Sequence, residues 1–399
     1  MKKPSLIDAL ELKLQGLYAD GLQRQRRIID SPCGPILRTG GQSLLAFCSN
    51  DYLGLAADKR VIDALRGGAQ RYGAGSGASH LISGHSRAHA VLEERLATFM
   101  QPDIADGAAL VFCTGYLANL AVMSALADRQ TTLFCDALNH ASLIDGARLS
   151  RAAIEVVPHH NIAQLATLLA ASTATNKIVV TDSVFSMDGD LAHLPAILAL
   201  CDQHDAWLLV DDAHGFGVLG QHGRGALEYF GLQSPRIIYM GTLGKAAGVS
   251  GAFIAAHRTV IAWLIQRARP YIYTTASPPA LAHALITSLD LIECEEEGGA
   301  RRAHLQELIA RFHAGLSLQR WRLAPSNTPI QPILIGDNHT TMALAAALRD
   351  DGIWVGAIRP PTVPTGTARL RIALSAAHSM NDVDHLTARL NHHDRQGVK

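Results

Sequence analysis

Apolar residues recur at two different periods along this chain. Between residues 5 and 27, Leu6, Leu10, Leu14 and Leu17 fall at helical spacing and predict an amphipathic helix. Further helices are predicted over 59–71 and 86–100. In the second, Val91, Leu92, Leu96 and Phe99 share one face and Ser86 is placed to cap the start. Residues 44–55, LLAFCSNDYLGL, read as a short strand followed by a turn-rich segment. From residue 108 short apolar runs alternate with helical stretches, and strands are predicted at 108–112, 131–135, 154–157, 177–182, 207–211, 236–240 and 252–256. Trp207-Leu208-Leu209-Val210 is apolar throughout, as a strand covered on both faces must be. This alternation implies a mainly parallel sheet with helices on both faces. Such sheets bind ligands in the loops beyond the carboxyl ends of their strands.

After Glu293–Glu297 and Gly298-Gly299 the pattern resets. A helix (300–315), a strand (329–335), a helix (340–350), two strands (353–358 and 368–374) and a last helix (380–392) predict a smaller α/β unit. The expected organisation is an N-terminal helix and arm (1–58), a large domain (59–297) and a small C-terminal domain (298–399). The acidic run reads equally well as a junction or as a solvated helix end.

Composition narrows the class. The chain has 399 residues, 48% apolar and 18% charged, and 35 Lys+Arg balance 35 Asp+Glu. Disorder is excluded, and no global field is present to attract nucleic acid or an anionic membrane. No uninterrupted apolar run reaches the roughly 18 residues of a membrane span. Met1-Lys2-Lys3-Pro4 leads on without an apolar core, so no signal peptide is expected. Six cysteines form no C-x-x-C pair. Cys48, Cys113 and Cys135 sit in apolar runs, where buried free thiols are expected, and this fits a reducing cytoplasm.

The chemistry concentrates at strand ends. Trp207–Val210 runs into Asp211-Asp212-Ala213-His214-Gly215. A carboxylate at the tip of a buried strand is poised to hold a positive charge, and His214 can reach the same ligand. Asp and His also suit a metal, but no third ligand stands at compact spacing, so no metal is expected there. A structural Asp with a surface His is the plainer alternative. The next strand enters Gly241-Thr242-Leu243-Gly244-Lys245-Ala246. A P-loop would need Gly at 239 and Ser or Thr at 246, but Tyr and Ala stand there, so that motif fails. The alternative is a lysine whose amine forms a Schiff base with a carbonyl cofactor, with Thr242 near that cofactor's phosphate. Thr114-Gly115-Tyr116 opens a helix, a ready anion site. Cys135-Asp136 leads to Asn139-His140, and Thr181-Asp182 continues to Ser186-Met187-Asp188. Among 19 histidines a lone one is usually structural; its place beyond a strand is what singles out His140. The G-x-G-x-G at 73–77 follows no apolar strand and reads as turn chemistry or a close backbone approach.

Taken together these stretches resemble the pyridoxal-phosphate enzymes of the aspartate-aminotransferase fold (fold type I). More narrowly, they resemble the α-oxoamine synthases, which join an amino acid to an acyl thioester. The likeness rests on SNDYLGL (49–55), GSGASHLISG (75–84), TGYLANLA (114–121), NHASLIDGAR (139–148), VFSMDGD (184–190), VDDAHGFGVLG (210–220) and TLGKAAGVSGA (242–252). It covers nearly the whole chain with order kept. The segment 358–371, Ile358-Arg359-Pro360-Pro361-Thr362 onward, is most similar to the branch that condenses L-alanine with a pimeloyl thioester, on CoA or on acyl carrier protein, in biotin biosynthesis. Sister branches take glycine with acetyl-CoA, glycine with succinyl-CoA or serine with palmitoyl-CoA.

The resemblance implies roles. Lys245 carries the cofactor covalently. Asp211 pairs with the protonated pyridine nitrogen, His214 bonds the phenolic oxygen and His140 stacks on the ring. Gly115, Tyr116 and Thr242 meet the phosphate, Ser186 sits beside the cofactor, and Thr275 reaches the phosphate held by the other subunit of a homodimer. Arg359 binds the amino-acid carboxylate, a bidentate task that suits guanidinium. Asn50 and Thr362 line the substrate pocket. Arg24 meets the acyl substrate, with Arg26 as the alternative; a solvated helix end is the plain reading of that basic cluster.

Overall fold

The computed structural model of the protein describes residues 5–397. Two short strands, β1 (Ile36–Thr39) and β2 (Gln42–Phe47), form an antiparallel hairpin around Gly40-Gly41, both at positive φ. Seven strands follow: β3 (Gly107–Phe112), β4 (Thr131–Asp136), β5 (Ala153–Val157), β6 (Asn176–Asp182), β7 (Trp207–Asp211), β8 (Ile237–Thr242) and β9 (Ala252–His257). Four more close the chain: β10 (Arg322–Leu323), β11 (Ile330–Gly336), β12 (Ile353–Ile358) and β13 (Ala368–Ala373).

Contacts divide the chain into two units. The larger comprises 51–186 and 190–303, the smaller 5–50, 187–189 and 304–397. The sequence reading set its junctions after residues 58 and 297; contacts set them after Asn50 and Ala303.

The larger unit holds one seven-stranded sheet in the order β3-β9-β8-β7-β6-β4-β5. Its pairs from β5 to β8 are parallel. β9 runs antiparallel to both β8 and β3. The nine residues between β8 and β9 explain this, because a parallel crossover needs a dozen or more. All seven strands predicted from residue 108 are present. The central ones are buried, as their unbroken apolar runs require: Leu208, Leu209, Val210, Ile237, Ile238 and Ile254 are at most 1% exposed. β3 and β5 are the edge strands, and of β5 only Val157 is buried.

The smaller unit holds a six-stranded sheet, β1-β2-β12-β13-β11-β10, in which β2 pairs with β12 in parallel. The predicted C-terminal elements are all present, and β1 and β10 are added to them.

Two expectations need correction. The first helix runs only over Leu6–Ala19 and then stops at Asp20-Gly21, with Gly21 at φ 64°. None of its residues is buried, and the four leucines of its face are 41–76% exposed. Of the three cysteines expected to be buried, Cys135 is, whereas Cys48 and Cys113 are partly exposed; Cys201 is a further buried one. All six are free thiols. Among the described residues no helix is long and apolar enough to cross a membrane.

Candidate active site

β6 and β7 end in carboxylates that the parallel register sets side by side, Asp182 against Asp211. β8 ends beside them at Thr242. The loops after these three strands, the end of β4 and the start of helix Gly115–Leu126 enclose a cavity of about 170 Å³. Gly115, Tyr116, His140, Ser142, Asp182, Asp211, Ala213, His214, Met240, Thr242 and Lys245 line it. Seven of the residues singled out in the sequence therefore meet in one cavity of the larger unit: Gly115, Tyr116, His140, Asp211, His214, Thr242 and Lys245.

Asp211 is buried, and both its oxygens are held. Oδ2 accepts a 2.7 Å hydrogen bond from the Asn119 amide, and Oδ1 accepts the Ala213 N–H at 3.0 Å. Asn119 also donates to Ser142 Oγ at 2.8 Å, while its own Oδ1 is buried without a partner. Asn119 lies one turn into the helix that Gly115 opens, so the helix that faces the cavity with its N-terminus also orients Asp211. Thr114 caps that helix by accepting the Leu117 N–H. The exposed Tyr116 hydroxyl donates to Asp145.

Lys245 Nζ lies 2.8 Å from His214 Nε2, and His214 Nδ1 lies 2.7 Å from the Tyr52 hydroxyl. An ammonium only donates, so His214 accepts at Nε2 and carries its proton at Nδ1, donating it to Tyr52. The lysine is thus aimed through a neutral imidazole anchored on a fully buried tyrosine. Thr242 Oγ1 donates to the Gly251 carbonyl and faces the Gly244 N–H, closing the turn that carries Lys245.

His140 caps helix Ala141–Ser150. Its Nδ1 accepts from Ser142, and its backbone N–H donates to Asp182 Oδ2 at 2.8 Å. Burial, reinforced by the charge of Asp211, pushes the Asp182 carboxyl well above the usual carboxylate range. Asp212, the next residue after β7, faces away from the cavity. It accepts from Ser183, the Ala226 N–H and the Tyr239 hydroxyl, and burial lifts it to about 7.

The remaining predicted residues lie elsewhere. Ser186 sits in the turn closed by the Val184–Leu191 bridge, and it does not line the cavity. Thr275 is exposed and bridges to Ser79. In the smaller unit, Arg24 donates to Thr362 Oγ1 at 3.4 Å and Arg359 donates to the Gly21 carbonyl. Burial and the nearby Arg24 charge both lower the Arg359 pKa, so two guanidinium groups share one region. Arg26 is exposed and makes no such contact with Thr362 among the described hydrogen bonds. Asn50 accepts from Arg371 at 3.1 Å.

Sequence reasoning passed over Asn119, Tyr52 and Ser142 as individual residues. Each lies inside a quoted stretch, but only the fold shows that they hold Asp211, His214 and His140. Asp182 was visible as a polar strand end; the register that sets it against Asp211 was not.

The residue set fits pyridoxal phosphate on its own chemistry. It offers a primary amine, a buried carboxylate able to hold a cationic nitrogen, an imidazole, a helix N-terminus for an anion and an unpartnered buried amide oxygen. The comparisons agree. The family model for aminotransferase class I and II matches residues 42–390. The chain is 65% identical over 391 residues to an 8-amino-7-oxononanoate synthase of Janthinobacterium sp. (strain Marseille), covering 98% of this chain and 99% of that protein. It is 60% identical to one of Bordetella petrii, covering 98% of each. Among solved structures, a serine palmitoyltransferase from S. paucimobilis with bound PLP–myriocin aldimine superposes with a TM-score of 0.91 at 28% identity, over 98% of this chain and 99% of that one. An 8-amino-7-oxononanoate synthase from Francisella tularensis gives 0.74 at 29% identity, over 88% and 98%. The chain therefore belongs to the aminotransferase class I and II family and, within it, to the pyridoxal-phosphate-dependent α-oxoamine synthases.

Proposed function

We propose that this protein condenses L-alanine with a pimeloyl thioester, releasing CO₂ and the free thiol and forming 8-amino-7-oxononanoate for biotin synthesis. The observation that carries the chemistry is Lys245 Nζ at 2.8 Å from His214 in a cavity floored by Asp211. The choice of substrates rests on the 58–65% identity to relatives of that name.

When bound, pyridoxal phosphate supplies an electron sink for the carbanion formed at the amino-acid α-carbon. Asp211 would keep a proton on the ring nitrogen, with Asn119 and the Ala213 N–H fixing its oxygens. Lys245 would hold the cofactor and then, freed by the amino acid, take the α-proton onto Nζ. His214, steadied by Tyr52, aims that amine and would hydrogen-bond the phenolic oxygen. His140, which lines the cavity, would cover one face of the ring. The backbone at Gly115 and Tyr116, with Thr242, would meet the phosphate; Ser186, expected beside the cofactor, stands outside the lining of this cavity. Arg359 would receive the alanine carboxylate and Arg24 the acyl substrate, with Asn50 and Thr362 as further substrate contacts. Arg24 is preferred to Arg26 because it touches Thr362 and approaches Arg359.

The working form in this reading is a homodimer with shared sites, Thr275 reaching the partner's cofactor phosphate. Support comes from helix Leu6–Ala19, whose face leucines are 41–76% exposed. A cytoplasmic location fits six free cysteines, two of them with thiols pushed by burial to about 12.

The test is a matrix of amino acids (alanine, glycine, serine) against pimeloyl, acetyl, succinyl and palmitoyl thioesters. CO₂ and thiol release should be greatest for alanine with pimeloyl thioester. Faster turnover of any other pair overturns the assignment.

A further inference from the structure

Among the described residues outside the active site, two groups of side chains bring three metal-ligating atoms within 4.8 Å of one another: His80, His85 and His89, and His159, His160 and Asp190. They differ in how their hydrogen bonds are satisfied. In the first, His89 Nδ1 accepts the Ser86 N–H at 3.1 Å and its Nε2 donates to the Ser277 carbonyl at 2.9 Å. One neutral tautomer meets both demands, and neither nitrogen is left for an ion.

The second group is satisfied only when His159 carries a charge. Asp190 Oδ2 faces His159 Nε2 at 2.9 Å and His160 Nε2 at 2.5 Å. His159 Nδ1 already faces Asp136, at 3.0 and 3.2 Å from its two oxygens. Ionised carboxylates only accept, so His159 can satisfy both aspartates only as a doubly protonated ring. A neutral His159 that donates to Asp136 would instead point a lone pair at Asp190. Asp190 Oδ1 is meanwhile buried without a hydrogen-bond partner. The ring planes are held from outside the group. Buried Phe185 packs edge-on against His159 with centroids 4.4 Å apart, and His159 and His160 lie 3.8 Å apart.

We propose that His159 Nε2, His160 Nε2 and the Asp190 carboxylate bind one divalent cation of the zinc class, with Asp136 behind His159 Nδ1 as the outer partner that fixes its tautomer. Two imidazoles and one carboxylate favour a borderline ion such as Zn²⁺ or Co²⁺ over Mg²⁺ or Ca²⁺. Three protein ligands with water in a fourth position make a familiar tetrahedral set. A carboxylate on the far nitrogen of a ligating histidine is the usual outer support. All three side chains are partly exposed, between 22% and 31%, so an ion can enter from solvent.

The ion's role is to pin two segments together. His160, at φ 60°, lies in the turn between β5 and helix Ile162–Ala171. Asp190 closes the turn that carries Ser186, its carbonyl accepting the Phe185 N–H at 3.0 Å. A cation here therefore braces that turn from outside the catalytic cavity.

The experiment uses tag-free holoenzyme, stripped with chelator, dialysed and titrated with Zn²⁺ by calorimetry. Wild type should bind one strong equivalent, and its melting temperature should rise with added Zn²⁺. His160→Ala and Asp190→Asn should lose both effects. Asp136→Asn should bind roughly 10- to 100-fold more weakly, and His85→Ala should bind as wild type does. Because a variant can fail to fold, anomalous X-ray scattering at the zinc edge on wild-type crystals locates the ion directly. A peak between His159, His160 and Asp190 supports the proposal. No peak at one equivalent, a peak at the His80 group, or undiminished binding by His160→Ala and Asp190→Asn overturns it.

Discussion

Asp182 and Asp211 occupy neighbouring register positions on two parallel strands, so two buried carboxylates stand side by side at the carboxyl ends of the central strands. They cannot both ionise cheaply there. Their partners separate the roles. Asp211 accepts from Asn119 and the Ala213 N–H, while Asp182 accepts the His140 N–H and is held toward its protonated form.

Asp211→Asn should reduce turnover by roughly 100-fold or more, the scale of removing one preorganised charge from a reacting site. Cofactor affinity should fall far less, because the Lys245 and phosphate contacts remain. Deuterium exchange at the alanine α-carbon, measured beside cofactor titration, checks this; an unchanged exchange rate contradicts the assigned role.

Asp182→Asn should be tolerated better than Asp182→Ala. The amide oxygen can still accept from His140, whereas alanine leaves that part-buried donor unmet at a cost of up to about 1–3 kcal/mol. Thermal unfolding of the two variants, with kcat measured in parallel, separates them. Equal loss in both would show that the carboxyl's hydrogen bond is not what matters.

Lys245→Ala should retain cofactor non-covalently and lose turnover. Lys245→Arg should fail too, since guanidinium stays protonated and cannot act as nucleophile or base. Borohydride reduction of wild type followed by peptide mapping should place the pyridoxyl label on Lys245. A label on another lysine would remove the basis of the whole site.

Asp212 gives a stability signature in pH. Its folded pKa, about 7, lies above the ordinary value of 3.8, so the folded state holds the proton more tightly. The stabilisation from this group is complete below about pH 4 and is lost as pH rises through 7. Asp212→Asn should therefore flatten the pH dependence of the melting temperature between pH 4 and 7. An unaltered slope would mean that Asp212 is ionised across that range.

Mixing Lys245→Ala protomers with Thr275→Ala protomers that are each impaired should restore part of the activity if each site draws on both chains. A fully active monomer in sedimentation would rule out the shared-site dimer.

The chain's own pattern determined the strands and the chemistry at their ends. Trp207–Val210 is apolar without a break, so it had to lie at the centre of a sheet, and Asp211 had to emerge at its tip. The same logic marked Lys245 after β8 and His140 after β4. What linear order could not contain was lateral placement. The pairing of Asp182 with Asp211 depends on strand register, and the clamp of Asn119 on Asp211 spans 92 residues. Tyr52 meets His214 across 162 residues. Helical spacing predicted the face of Leu6, Leu10, Leu14 and Leu17 and extended that helix to residue 27, yet the helix stops at Ala19 and none of the four leucines is buried. Periodicity reports which residues share a face; only the packed fold decides what, if anything, that face meets.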